Sequence, residues 1–369
     1  MKWRVRLWVD DLGSFARIAP GLRTDADAQT FEGIEVRRWP DPDIAALPST
    51  VLPLPAEHGS LTLTEHAFAP HDIVIEAFAC ELPDAFISVL RMASPPVLWL
   101  NLEYLSAETW VDDCHGLASL RPDGLKKTFF FPGFTQSTGG LLREPELLQA
   151  RDATQRNRQS MIDTLAGIGL TRLADALQNP HARLVNLFCY PHVPLHDILA
   201  ALDRASAGDT DARFVVCAAN GVAPSLEAVA ASYPGIRVER IPFLAQADFD
   251  RLLWCGDLNI VRGEDSFVRA IWAARPMLWH IYPQSDDAHL AKLDAWLERY
   301  EAPECAKQAI RALNEQPDHG LVSALSESLV LPAWKAWQAQ SRHWAQTLSQ
   351  QPDVAENLAD FWTSSLKKS

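Results

Sequence analysis

Short apolar runs alternate with stretches of helical periodicity along this chain, and that rhythm limits the fold more than any other feature. Val5–Val9, Ile34–Trp39, Ile73–Phe78, Val97–Leu102 and Thr128–Phe131 read as strands. Leu184–Cys189, Phe214–Ala218, Ile236–Ile241, Leu258–Val261 and Met277–Ile281 repeat the pattern in the second half. Helices are expected over 194–205, 223–232, 246–255, 265–274 and 287–299. Strands that alternate with helices pair in parallel, because a parallel crossover needs about a helix's length of chain. With 369 residues the chain exceeds one ordinary domain, so an α/β architecture of two Rossmann-like domains is expected. The stretch 143–159 reads as a surface helix near their connection, and residues 40–60 as a proline-rich loop. The tail 332–368 reads as helical, with Trp334, Trp337, Trp344 and Trp362 on its buried face.

A net charge of −14 argues against general nucleic-acid affinity and suits solubility or attraction to a basic partner surface. The six cysteines are scattered with no CxxC, which fits reduced thiols and a cytoplasmic location. No apolar run approaches the ~18 residues of a membrane span, and the start does not read as a signal peptide. The histidines show no HExxH or other zinc spacing, so no metal is expected. Gly133–Gly140 lacks the lysine of a phosphate loop, and no GxSxG is present. No GxGxxG follows a strand, which weighs against an NAD enzyme. Asp41-Pro42-Asp43 reads as a solvated turn.

Ligands of open α/β sheets bind beyond the carboxyl ends of strands, so residues just after strands matter most. Arg262-Gly263-Glu264-Asp265-Ser266 joins a strand to a helix. Gly263 suits the turn, and Asp265 or Ser266 can cap the helix. The helix start, with Arg262 beside it, suits a diphosphate. Glu264 would repel phosphate and fits better facing sugar hydroxyls; an ordinary capped helix fits the same residues. Phe188 and Tyr190 follow another strand and can stack on a nucleobase, although core packing is the commoner fate of such rings. Phe243 and Gln246 follow a third strand; the amide can read a base edge or simply open the next helix. Together these residues are the inventory that a nucleotide-sugar site needs. His280 and Gln284 could reach a bound sugar, with a satisfied structural histidine as the alternative. Asn101, Glu103 and Tyr104 end a first-half strand and either face the cleft or position the next element.

Several longer motifs accompany these: Asp72–Pro83, Leu100–Glu108, Phe130–Phe134 followed by Thr138–Leu141, Arg262–Ala270 and Trp279–Gln284. In this order they closely resemble the bacterial protein-arginine rhamnosyltransferases that modify elongation factor P, from about Arg4 to the C-terminus. The resemblance implies a GT-B-like α/β fold: two facing Rossmann-like domains with parallel sheets and C-terminal helices returning to the first. It implies residues 1–160 as the acceptor side, 161–345 as the nucleotide-sugar side and 346–369 as the returning helix. It implies inverting transfer of L-rhamnose from dTDP-β-L-rhamnose to an arginine of elongation factor P, with no cofactor beyond that donor. Phe188, Tyr190, Phe243 and Gln246 fall on family positions that contact the nucleotide. Glu264, Asp265 and Ser266 fall on the acidic, diphosphate-facing motif, with Glu264 as the catalytic candidate.

The family opens with a strand, an Asp-Asn-aromatic-Gly-Asp-Ile-Gly loop bearing the proposed general base, and a helix. Here Met1-Lys2-Trp3 leads directly to Val5–Leu12, which matches the family's second strand. The reading therefore expects about one βα unit, on the order of thirty residues, to be absent. Asp10 and Asp11 match the end of that second strand and are not assigned as catalytic. A guanidinium is a poor nucleophile without a carboxylate to take its proton. The alternative reading is thus a module that binds dTDP-sugar or elongation factor P without turnover.

Overall fold

A computed structural model describes residues 3–16, 19–39, 72–78, 80–94, 96–208, 213–315 and 320–366. They group into two units, Met1–Leu102 with Ala118–Thr128, and Glu103–Leu117 with Phe129–Ser369. Residues 40–60 and the Asp41-Pro42-Asp43 motif lie outside the described residues.

In the first unit, β1 (Arg6–Val9), β2 (Ala28–Phe31) and β3 (Ile34–Arg38) form a sheet of order β1-β3-β2. Helix α1 (Leu12–Ala16) follows β1. Asp11 caps it, with Oδ1 accepting from the Gly13 N–H at 2.8 Å and Oδ2 from the Ser14 hydroxyl at 2.5 Å. A second sheet has the order β4-β5-β7-β6, formed by β4 (Ile73–Ala77), β5 (Leu98–Leu102), β6 (Ala118–Leu120) and β7 (Lys126–Phe130), with α2 (Asp84–Met92) between β4 and β5. Strands β2 and β6 are absent from the sequence expectation. Both are short and carry polar residues (AQTF and ASL), so neither makes an apolar run.

The second unit opens with α3 (Trp110–Cys114), α4 (Leu147–Thr154), α5 (Arg158–Gly167) and α6 (Thr171–Ala176). The single surface helix expected over 143–159 is instead α4 followed by a break. Asn157 starts α5 by accepting from the Ser160 N–H at 2.9 Å, and that side-chain bond ends the run.

A five-stranded parallel sheet then forms from β8 (Ala182–Leu187), β9 (Arg213–Ala219), β10 (Ile236–Ile241), β11 (Leu258–Arg262) and β12 (Met277–His280). Its connections are α7 (Leu195–Gly208), α8 (Leu226–Ala230), α9 (Gln246–Cys255) and α10 (Asp265–Ala273), and α11 (Ala288–Arg299) follows β12. Strands β8, β11 and β12 are buried almost throughout, as their near-continuous apolar sequences require in a sheet covered on both faces. Their register is fixed from within. Asn186 and Asn259 sit directly opposite each other and are buried, with Asn186 Nδ2 donating to Asn259 Oδ1 at 2.7 Å. A slip of one residue would separate the two amides and break this bond. Gly256 permits this pairing, since a Cβ there would lie 2.4 Å from Asn186 Nδ2.

The strand order is β10-β9-β8-β11-β12. The chain steps outward from β8 through β9 to β10, then crosses back to lay β11 on the other side of β8. The connections leaving β8 and β11 therefore diverge, and a crevice is left beyond their carboxyl ends, where α/β sheets hold ligands.

Four helices complete the unit: α12 (Glu304–Asn314), α13 (Leu321–Ser328), α14 (Ala333–Ser349) and α15 (Val354–Leu366). Trp334 and Trp337 are buried as expected, but Trp344 is only partly buried. Trp362 is not buried either: α15 buries none of its residues and packs through Phe361 against His115 and Phe130, with centroids 6.1 and 6.0 Å apart. None of the cysteines is in a disulfide, and Cys189, Cys217 and Cys255 are buried. No helix among the described residues is long and apolar enough to cross a membrane.

Candidate functional site

Phe188 and Tyr190 leave the end of β8, and Arg262 is the last residue of β11, so the crevice between these strands brings the three together. The Arg262 guanidinium lies 4.6 Å from the Phe188 ring centroid and 5.0 Å from that of Tyr190. No ion pair among the described residues involves Arg262, so its charge is balanced only by the two ring faces. Phe188 is braced edge-on by Phe249 at 5.4 Å. Tyr190 is stacked on His192 at 5.8 Å and meets His280 and Tyr282 edge-on. Its N–H donates to His280 Nδ1 at 3.2 Å. Burial pushes the Tyr190 phenol up, so it remains a hydrogen-bond donor. Burial also brings His280 down to about 3, so the ring is neutral and accepts at Nδ1.

Gly263 turns the chain into α10 with φ +64°, and a Cβ there would lie 3.4 Å from Tyr190 Oη. That left-handed backbone favours glycine, whereas the approach to Tyr190 is an ordinary contact. The expected cap is corrected. Asp265 and Ser266 are already the first residues of the helix, while Glu264 holds the cap position and makes no side-chain cap bond. Its carboxylate is drawn elsewhere: Oε1 pairs with Lys292 Nζ at 2.6 Å, and Oε2 accepts from the Leu105 N–H at 3.0 Å. The first N–H groups of α10 are therefore uncapped by side chains. One residue beyond Arg262, they form an anion-binding feature.

The other expected residues fall nearby. Gln246, the first residue of α9, donates to Asp265 Oδ2 at 3.3 Å. One turn deeper, Asp250 of α9 accepts from Arg269 of α10 at 3.2 Å. Arg269 is buried and also pairs with both oxygens of Glu144, at 2.6 and 2.5 Å. Two rungs therefore join the starts of α9 and α10. Burial raises Asp250 to about 7, and one of its oxygens, Oδ1, is buried without a hydrogen-bond partner. Ser266 is buried at the helix start, whereas Phe243 is 69% exposed, and no ring among the described residues stacks on it. Gln284 gives only its backbone N–H, to His289 Nδ1 at 3.2 Å. Gly133–Gly140 is a packing turn: a Cβ on Gly139 would strike the Phe130 ring.

Sequence reasoning missed Lys292, His192, Tyr282 and the Asp250–Arg269 rung. Only the last left a local signal, since Asp265 and Arg269 stand four apart, as do Gln246 and Asp250. Taken together, the crevice offers two aromatic faces, an arginine held against them, a phenol and an uncapped helix start. This set can hold a base and a diphosphate.

The family described as "Elongation-Factor P (EF-P) rhamnosyltransferase EarP" matches residues 1–363. A protein-arginine rhamnosyltransferase of Pseudomonas putida is 41% identical over 98% of this chain and 91% of its own length. One from Pseudomonas aeruginosa is 39% identical over 97% and 90%. The solved structure described as "Structural basis for EarP-mediated arginine glycosylation of translation elongation factor EF-P" superposes with a TM-score of 0.56 and 28% identity, covering 98% of this chain and 99% of that one.

Proposed function

Because the chain belongs to the elongation factor P rhamnosyltransferase (EarP) family, and so is a GT-B protein-arginine rhamnosyltransferase, we propose that it moves L-rhamnose from dTDP-β-L-rhamnose to an arginine of elongation factor P with inversion at the anomeric carbon. The observation that carries this reading is Arg262 lying over Phe188 and Tyr190 one residue before the uncapped start of α10. The rings take the thymine, helped by Phe243 and Gln246. Arg262, Ser266 and the helix N–H groups take the diphosphate and stabilise the charge that builds on it as the glycosidic bond breaks.

Glu264 and Asp265 put two carboxylates beside an anion, and each is offset. Lys292 neutralises Glu264, and Gln246 donates to Asp265. Glu264 then acts by fixing the 103–108 loop and the helix start in one geometry. The acceptor guanidinium must lose a proton as it attacks; in the family an aspartate of the first-domain loop is suited to take it, and no residue of this chain is assigned that step. In this division residues 1–160 receive the acceptor protein, residues 161–345 hold the donor and the reaction is cytoplasmic.

The test is to incubate the chain with elongation factor P and dTDP-β-L-rhamnose and to digest and weigh the acceptor. The expected result is a gain of one deoxyhexose on a single arginine. Donor binding without product would instead favour the non-catalytic binding module. No binding of dTDP would remove the site.

A further inference from the structure

Behind the anion-binding start of α10 lies a side-chain cluster in which three carboxylates share one guanidinium. Arg269 meets Asp250 Oδ2 at 3.2 Å and both oxygens of Glu144, and its Nε lies 3.9 Å from Asp265 Oδ1. Other charged groups on the elements packed here have partners of their own. Arg251 of α9 pairs with Asp248 at 2.5 Å, Arg151 of α4 pairs with Asp152 at 2.7 Å, and Asp163 of α5 accepts from Gln159 at 2.8 Å. Asp250 and Arg269 each stand four residues past the first residue of their helix. The cluster is therefore about 6 Å along the helix axis from the N–H groups that face an anion.

The three carboxylates differ in how firmly they keep their charge. Glu144 is gripped by two guanidinium nitrogens, which hold its carboxyl below the usual range. Asp265 is exposed to water and accepts from Gln246. Asp250 is 6% exposed and is bonded through Oδ2, whereas its Oδ1 is buried without a partner among the described residues. A charged oxygen that is neither hydrated nor hydrogen-bonded is costly, so Oδ1 is where the cluster holds a proton most cheaply. Burial brings this carboxyl up to about 7, within reach of neutral solution. With the proton on Oδ1, Oδ2 still accepts from Arg269, so the rung between α9 and α10 is kept. A diphosphate on the first turn of α10 adds negative charge one turn away, which is close enough to raise a buried carboxyl's pKa by about one.

We infer that Asp250 is a positioning residue for the donor, acting through Arg269: it takes a proton from solvent as the diphosphate docks on α10 and returns it when the nucleotide leaves. The inference rests on the nucleotide-sugar reading of the adjoining site. Protonation removes one of the three negative charges behind the helix start without loosening the helix pair. The test is titration calorimetry of the full chain with dTDP-β-L-rhamnose, whose diphosphate has no ionisation of its own near neutral pH, in phosphate and in Tris buffer. At about pH 7.5 the difference in heat between the buffers should report uptake of about half a proton. Affinity should weaken about sevenfold from about pH 6 to about pH 8.5. Asp250→Asn keeps an acceptor for Arg269 and cannot take the proton. Its uptake should fall to near zero, and it should bind with little pH dependence, close to the low-pH affinity of the unmodified chain. Glu144→Gln removes a neighbouring negative charge, so the pH of greatest uptake should move down. Donor binding without uptake, uptake unchanged in Asp250→Asn, an affinity loss in Asp250→Asn that is equal at every pH, or a maximum unmoved in Glu144→Gln would each overturn the inference and leave the nucleotide site intact. Failure of the unmodified chain to bind the donor overturns the donor reading and this inference with it.

Discussion

Arg262 shows how a single side chain can be made ready for an anion. Its guanidinium lies over two ring faces, and no carboxylate among the described residues pairs with it. Lysine would keep the charge but not the planar fit, so Arg262→Lys should weaken dTDP binding about tenfold by calorimetry. Phe188→Ala, which removes one of those faces, should do the same. Glu264→Ala would leave the buried-side Lys292 ammonium and the Leu105 N–H without their shared partner. Turnover should fall by on the order of 10²-fold or more, because small displacements of reacting groups are that costly. Asp265→Ala, which removes the acceptor of Gln246, should lower turnover to a similar degree. Asp250 provides a pH signature. Its folded pKa of about 7 lies above the unfolded value near 3.9, so between those values the folded chain binds the extra proton. Stability should therefore fall as pH rises from about 4 to 7 and level off above, by roughly 2–4 kcal/mol. Urea melts of Asp250→Asn should lack that slope; an unchanged slope would show that Asp250 is not its source.

Helices α9 and α10 work as a pair because they are tied at both ends. Gln246–Asp265 and Asp250–Arg269 join their starts, while Gln155 Nε2 donates to the carbonyls of Trp254 and Ala273 at their far ends, at 3.0 and 2.8 Å. The turn feeding α10 is equally constrained. Gly263→Ala should cost about 1–2 kcal/mol of stability from its left-handed φ alone, and should weaken dTDP binding by moving the helix start. Thermal melts with and without dTDP would read both effects. At this scale the sequence was largely legible. All ten expected strands are present, because their signal is a local apolar run between turn residues. The start of α9 was placed correctly, as was that of α10, whose turn residue Gly263 was legible as well. What stayed hidden depends on distant partners. Neither the Asn186–Asn259 pair nor the Lys292–Glu264 pair leaves a periodic trace, and β2 and β6 gain their strand character only from a neighbour.

Across the molecule, the residues assigned to the donor all belong to the unit formed by residues 103–117 and 129–369. Hydrogen exchange with saturating dTDP should therefore slow at the ends of β8 and β11 and the first turn of α10, and leave β1–β3 unchanged. Protection spread evenly over the chain would contradict a local site. Two pieces of that unit come from well before its five-stranded sheet. Leu105 meets the carboxylate of Glu264, and Glu144 grips Arg269. Anyone excising the nucleotide-binding half by cutting near residue 160, where the strand rhythm restarts, would discard both. Such a fragment would keep every residue facing the ligand and yet lose the props behind them, so a minimal dTDP-binding piece has to be assembled from segments that are discontinuous in the gene.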